Sequence, residues 1–110
     1  MSAILKGAQR PAPLLSAMVE ADLAEVVAVE NAIYSHPWTR GNFADSLRAG
    51  YQCWTSRLDG KLLGYFVLLV AAGEAHLLNL SIAAARQRSG HGSALLMEAM
   101  RQAAFCEYAG

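Results

Sequence analysis

The apolar positions of this chain change their spacing at a few separated points, and each change marks an element. Leu14 to Val19 is a short apolar run that predicts a first strand. From Asp22 onward, apolar residues fall at Leu23, Val26, Val27, Val29 and Ile33, the spacing of an amphipathic helix with Asp22 as its N-cap. Pro37 ends anything helical before it. Thr39 can cap a second helix running to about Arg48, which buries Phe43 and Leu47, and Gly50 closes it. Gln52 to Leu58 alternates as a strand, Asp59-Gly60 is a two-residue hairpin signal, and Lys61 to Val70 returns. Ala71 to Gly73 turns the chain into a further strand, Glu74 to Ile82. Ala83 to Ser89 is then a loop. Leu95, Leu96, Met97 and Met100 predict the core face of a last helix from about Gly90 to Glu107. The predicted order is β-α-α-β-β-β-α, one α/β (α+β) domain over residues 13–110 behind a loose, proline-marked tail, residues 1–12.

Composition narrows the class without naming it. A chain of 110 residues suits one domain, and 55% apolar content can supply its core. Nine basic and nine acidic residues balance, and the basic ones are scattered, so neither nucleic acid nor an anionic membrane is favoured. The first fifteen residues carry Lys6 and Arg10 but no apolar stretch of a secretory signal. The longest apolar run, Leu62 to Ala72, is about half a membrane span. Cys53 and Cys106 are too few for a disulfide framework and are expected to be reduced. The reading is a soluble, cytoplasmic protein.

The candidate chemistry lies between the last strand and the last helix. Gln87-Arg88-Ser89-Gly90-His91-Gly92-Ser93 is a short glycine-bearing turn that feeds directly into a helix. Such a turn aims several backbone N–H groups at the positive end of a helix dipole, which suits a pyrophosphate. Gly90 and Gly92 let the backbone approach an anion without Cβ interference, and either can take φ > 0. Ser93 adds a hydroxyl and Arg88 a cation at the rim. A dinucleotide fingerprint would need a third glycine, and a nucleotide-triphosphatase loop would need Gly-Lys-Ser/Thr; neither is present.

Taken together, Gln87-Arg88-Ser89-Gly90-His91-Gly92 and the preceding strand Glu74-Ala75-His76-Leu77-Leu78-Asn79-Leu80-Ser81-Ile82 resemble the GCN5-related N-acetyltransferases. The hexapeptide matches their acetyl-CoA pyrophosphate signature, Gln/Arg-x-x-Gly-x-Gly/Ala. Within that superfamily the chain is most similar to the bacterial ribosomal-protein-alanine N-acetyltransferases. Ser35-His36-Pro37-Trp38-Thr39 with Phe43 resembles their loop between the first two helices, and Glu30 and Ala32 fit as well. The resemblance implies a GNAT-like mixed sheet, with acetyl-CoA as acetyl donor and a protein N-terminal α-amine as acceptor. The alanine of a small-subunit ribosomal protein is its first candidate. It places the pantetheine arm along the backbone of Leu80, Ser81 and Ile82. The pyrophosphate falls to Gln87, Arg88, Ser89, Gly90, His91, Gly92 and Ser93.

The resemblance also implies that the family's general base and general acid lie beyond Gly110, on a fifth strand and a following helix. The chain then reads as the cofactor-binding front of the fold, with no catalytic residue of its own unless Glu74, at the head of the fourth strand, serves as base. As a turn residue Glu74 is more ordinarily just solvated. His76, His36 and His91 give no metal spacing with either cysteine, so no metal is expected. Trp38 either lines the acceptor cleft or pins its loop to the core. Ala83-Ala84-Ala85 stands where the family usually carries Asp-Pro, which loosens the turn. The Glu74–Ile82 edge, if uncovered, invites self-association. A non-catalytic acetyl-CoA- or protein-binding module and a truncated remnant without activity stay open as alternatives.

Overall fold

A computed structural model describes residues 12–109, with side chains through Cys106. The tail expectation therefore falls, Ala12 apart, outside the described residues. Four strands are joined in the order β1-β2-β3-β4: β1 is Leu14–Ala17, β2 Gln52–Leu58, β3 Lys61–Ala71 and β4 Glu74–Ile82. Helices α1 (Leu23–Ile33) and α2 (Arg40–Arg48) connect β1 to β2, and α3 (His91–Ala109) follows β4. The expected order β-α-α-β-β-β-α stands. Every described pairing is antiparallel, where the resemblance implied a mixed sheet. The tight turns at Asp59-Gly60 and Ala72-Gly73, all four residues at positive φ, permit no other direction between the strands they join.

The sheet separates two apolar layers. On one face Met18, Leu23, Val26, Phe43, Cys53, Tyr65 and Val67 pack beneath α1 and α2. On the other, Phe66, Leu68 and Ile82 meet Leu95 and Ala99 of α3. The alternation of β3 is what feeds both layers: Tyr65 and Val67 point one way, Phe66 and Leu68 the other. Cys53 is buried in the first layer, and desolvation pushes its thiol up to about 11. At pH 8 its iodoacetamide labelling is expected to run about 100-fold slower than that of a free cysteine, because so little thiolate exists. Mass spectrometry before and after denaturation measures this; equal rates in both states would contradict the burial.

Local chemistry at the helix starts is unequal. Thr39 caps α2 as expected, with its Oγ1 accepting from the Asn42 amide at 3.1 Å and Asn42 Oδ1 accepting from the Thr39 amide at 3.0 Å. Asp22 holds the position before α1 but makes no side-chain cap to it. Its carboxylate instead accepts from the Val19 amide at 2.8 Å, across a single turn of 3-10 helix at Glu20–Asp22, and from Arg57 at 3.0 Å. That turn ends β1 at Ala17, two residues before the expected Val19.

Two bulges shape the half of the sheet that carries the site. Leu63 is an extra residue on β3 between the pairs Ser56–Gly64 and Arg57–Leu62, and its carbonyl accepts from the Ala83 amide at 2.8 Å. Leu78 is an extra residue on β4 between Leu68–Leu77 and Val67–Asn79. β4 is the edge strand among the described residues. Its residues Glu74 to Leu78 are exposed, while Ser81 and Ile82 are buried.

Candidate functional site

Beyond the Leu78 bulge, side chains alternate across the sheet. Asn79 and Ser81 turn toward α1, and Leu80 and Ile82 toward α3. The α1 side is built around a carboxylate. Glu30 follows Leu23 by seven residues on the buried stripe of the helix and is only 2% exposed. Its Oε1 accepts from Tyr65 Oη at 2.6 Å and from Asn79 Nδ2 at 3.1 Å, and its Oε2 accepts from the Trp38 amide at 2.9 Å. Three donors around one acceptor-only group is the arrangement that makes a buried charge tolerable. Burial first, and the Glu30 carboxylate second, hold the Tyr65 phenol well above its ordinary range, so its proton stays in place.

The network continues outward. Ser81 Oγ donates to Asn79 Oδ1 at 2.7 Å and lies 2.8 Å from Tyr34 Oη. Tyr34 stands where α1 gives way to the Pro37-Trp38 loop, and it lines two cavities. One, of about 400 Å³, is walled by Glu30, Tyr34, His36 and Trp38 on one side and by Leu77 to Leu80 on the other. The second, of about 410 Å³, lies between Ile33, Tyr34 and β4 residues Leu80, Ser81 and Ile82, and is closed by Gln87, Arg88 and Gly92. Tyr34 and Leu80 are common to both.

The loop that closes the second cavity is held by its own backbone. The Arg86 amide donates to Ala83 O at 2.8 Å, winding a 3-10 turn over Ala84–Arg86 despite the absent Asp-Pro. Gln87 Nε2 reaches back to Ile82 O at 3.0 Å, tying the loop to the end of β4. Arg88 and Gly90 both have positive φ, 68° and 80°, which reverses the chain into α3. The first helical bond runs from the Ala94 amide to Gly90 O. The amides of His91, Gly92 and Ser93 precede it, and a helix leaves such amides without an internal partner. Together with Arg88 they make a donor set suited to an anionic group.

A family model for the acetyltransferase (GNAT) family matches residues 23–108, which contain α1, α2, β2–β4 and this loop. The chain belongs to the GNAT acetyltransferases. It is 28% identical over 82 residues to the ribosomal protein bS18-alanine N-acetyltransferase of Escherichia coli, a match that covers 74% of this chain and 55% of that one. Among solved structures, the ribosomal-protein-S18-alanine N-acetyltransferase of Escherichia coli superposes with a TM-score of 0.77 at 25% identity, covering 84% of this chain and 59% of that one. The PaiA N-acetyltransferase of Thermoplasma acidophilum, in complex with coenzyme A, gives 0.67 at 19% identity and covers 84% and 72%; that likeness is one of fold. The chain thus spans about half the length of the curated relatives it matches. Acetyl-CoA is the donor that fits the GNAT family.

Of the residues the GNAT resemblance assigned to the cofactor, Leu80, Ser81, Ile82, Gln87, Arg88 and Gly92 come together around the second cavity. Ser89, Gly90 and Ser93 lie on the same loop and helix start but outside that lining. His91 faces the other way, into a groove between α3 and β1. Gly92 is helical and has no positive φ, so of the two glycines only Gly90 needs the left-handed conformation. Glu74 sits on the exposed head of β4, paired with His76 Nε2 at 3.0 Å, and lines neither cavity. Trp38 is pinned to the core, as one of its two expected roles required. It packs on Phe43 with ring centroids 5.1 Å apart and also lines the first cavity.

Sequence reasoning did not single out Tyr34, Asn79 or Tyr65, and it gave Glu30 no task. One signal was available: Glu30 occupies a core position of an otherwise apolar stripe, and a carboxylate there demands donors from elsewhere in the fold.

Proposed function

We propose that this chain is an acetyl-CoA-dependent N-acetyltransferase domain acting on the α-amine of a protein N-terminus. An N-terminal alanine of a ribosomal protein is the first acceptor to try. The observation that carries the reading is the meeting of two cavities at Tyr34 and Leu80. One has an anion-suited rim and the other opens beside a buried carboxylate, as two substrates that react at one point require. The supporting likeness is to the bS18-alanine N-acetyltransferase of Escherichia coli, whose name states that acceptor.

In this reading the outer backbone edge of Leu80, Ser81 and Ile82 lies along the pantetheine arm, since an edge strand keeps unpaired N–H and C=O groups. Arg88 and the amides of Gly92 and Ser93 hold the pyrophosphate. Gln87 keeps the loop on the end of β4. Acetyl-CoA supplies an acyl group already activated as a thioester. The chain's own part is to hold it beside the amine and to keep water from competing.

Titration calorimetry with acetyl-CoA, followed by an acetyl-transfer assay on alanine-led peptides, tests the proposal. Gly92→Ala is the informative variant. A Cβ there would meet only Ile82 Cγ1, at 3.9 Å, so folding is expected to be unchanged. The same methyl would stand among the pyrophosphate donors, and affinity is expected to fall about tenfold, the equivalent of one lost charge-assisted hydrogen bond. A folded chain that does not bind acetyl-CoA defeats the reading. Saturable binding without transfer to any peptide leaves a cofactor-binding module instead of an enzyme.

A further inference from the structure

We propose that Tyr34 Oη is the hydrogen-bond acceptor that receives the N–H of the substrate amine, so that this side chain selects for an amine at the junction of the two cavities. The inference deepens the acetyltransferase reading and rests on it for the identity of the acceptor.

The argument is one of hydrogen-bond direction. Glu30 Oε1 can only accept, so the group of Asn79 that meets it at 3.1 Å must be the Nδ2 amide. That orientation turns Asn79 Oδ1 toward Ser81, whose single hydroxyl proton is spent on it at 2.7 Å. Ser81 Oγ then has only lone pairs left for Tyr34, 2.8 Å away, and the tyrosine must be the donor of that bond. With its proton directed into the sheet, Tyr34 Oη keeps its own lone pairs for a partner in the cavities. A buried carboxylate, three bonds away, thereby fixes the polarity of a phenol that is 42% exposed.

What such an oxygen prefers is a donor, and the surroundings favour a positively charged one. Glu30 also lines the first cavity, and its named partners are a phenol, an amide side chain and a backbone N–H, all of them neutral. Among the described residues no ion pair is made to it. The field of that charge reaches the same cavity into which Tyr34 offers its lone pairs, so an ammonium or amine gains from both. His36 and Trp38 continue the same wall and face Leu77 to Leu80 across a cavity of about 400 Å³, room for the residue that bears the amine.

The test is equilibrium binding, kept separate from turnover. The full chain is saturated with coenzyme A and titrated with a short alanine-led peptide, then with the same peptide trimethylated on its α-nitrogen. The second peptide keeps the positive charge and has no N–H. The unmodified peptide is expected to bind about tenfold more tightly to the parent chain, the range of one hydrogen bond to a charged donor. Tyr34→Phe is expected to remove that preference by weakening the unmodified peptide alone. A Tyr34→Phe chain that retains the preference, or a parent chain that shows none, overturns the proposal. Absence of acetyl transfer by a parent chain that does discriminate the two peptides would defeat the enzyme reading and leave the role of Tyr34 standing. Melting curves of both chains check that the phenylalanine variant is folded, as expected for loss of one hydroxyl from a partly exposed ring.

Discussion

Replacing Glu30 with alanine is expected to destabilise the chain by about 3–5 kcal/mol, a large share of the roughly 5–15 kcal/mol that holds a domain folded. The side chain itself contributes little apolar area. The loss comes from what it leaves behind: Tyr65 Oη, Asn79 Nδ2 and the Trp38 amide all lose their acceptor. A stranded buried donor costs about 1–3 kcal/mol, and the adjoining cavity lets water recover part of that, which places the sum near the lower end. Glu30→Gln keeps one carbonyl for Tyr65 and Asn79 but sets its own NH2 against the Trp38 amide, so a smaller loss of about 1–2 kcal/mol is expected. Urea melts of the two variants and of Tyr65→Phe/Glu30→Ala supply the measurement. The double variant should be less damaged than the two single losses summed, because the phenol no longer lacks a partner. A Glu30→Ala chain within about 1 kcal/mol of the parent would mean that water replaces the carboxylate and that the network does not hold the Pro37-Trp38 loop.

Gly64→Ala is expected to be nearly as damaging by a different route. A Cβ at this position would lie 2.6 Å from Ser81 O, 2.7 Å from Ile82 Cδ1 and 3.1 Å from Leu95 Cδ2. The methyl of Ile82 can rotate, but the carbonyl of Ser81 belongs to the β3–β4 ladder and moves only if the strand does. Overpacking of this kind costs about 1–3 kcal/mol, and the clash with backbone places it at the upper end. At about 4–8 °C per kcal/mol for a domain of this size, the melting temperature should drop by about 10–20 °C. Because the displaced residues are Ser81 and Ile82, acetyl-CoA affinity should fall with it in the fraction that remains folded. A Gly64→Ala chain that melts with the parent would show that β4 is not seated against β3 as described.

The elements that read correctly from sequence are those whose signals are local. Asp59-Gly60 set a hairpin, Thr39 capped a helix, and the stripe Leu23, Val26 found the core, because each depends on neighbours within a few residues. The end of β1, the work of Asp22 and the core face of α3 did not read correctly. Asp22 answers to Arg57, thirty-five residues away. Of the expected Leu95, Leu96, Met97 and Met100 only Leu95 is buried, with Ala99, while the other three are exposed. The same division runs through the site. Gln87, Arg88 and Gly92 form one short motif and arrived together at one cavity. The Glu30–Tyr65–Asn79–Ser81–Tyr34 network draws on α1, its following loop and two strands, and a pairing across such distances leaves no spacing to find. Gly64 was equally silent, because the crowding that requires glycine there comes from β4 and α3.

The extra residue at Leu78 has a bearing on how this sequence is free to diverge. A strand without it would transmit any slip at the Ala72-Gly73 turn along its whole length and exchange the two faces at Asn79 to Ile82. With it, the inner half of β4 takes its alignment from Gly64 to Val67 and from α3, while the outer half, Glu74 to Leu77, is aligned separately on Leu68 to Ala71 next to the turn. A one-residue insertion or loss at the Ala72-Gly73 tip can then be taken up where the ladder is already irregular, at Leu78, which leaves the faces of Asn79 to Ile82 as they are.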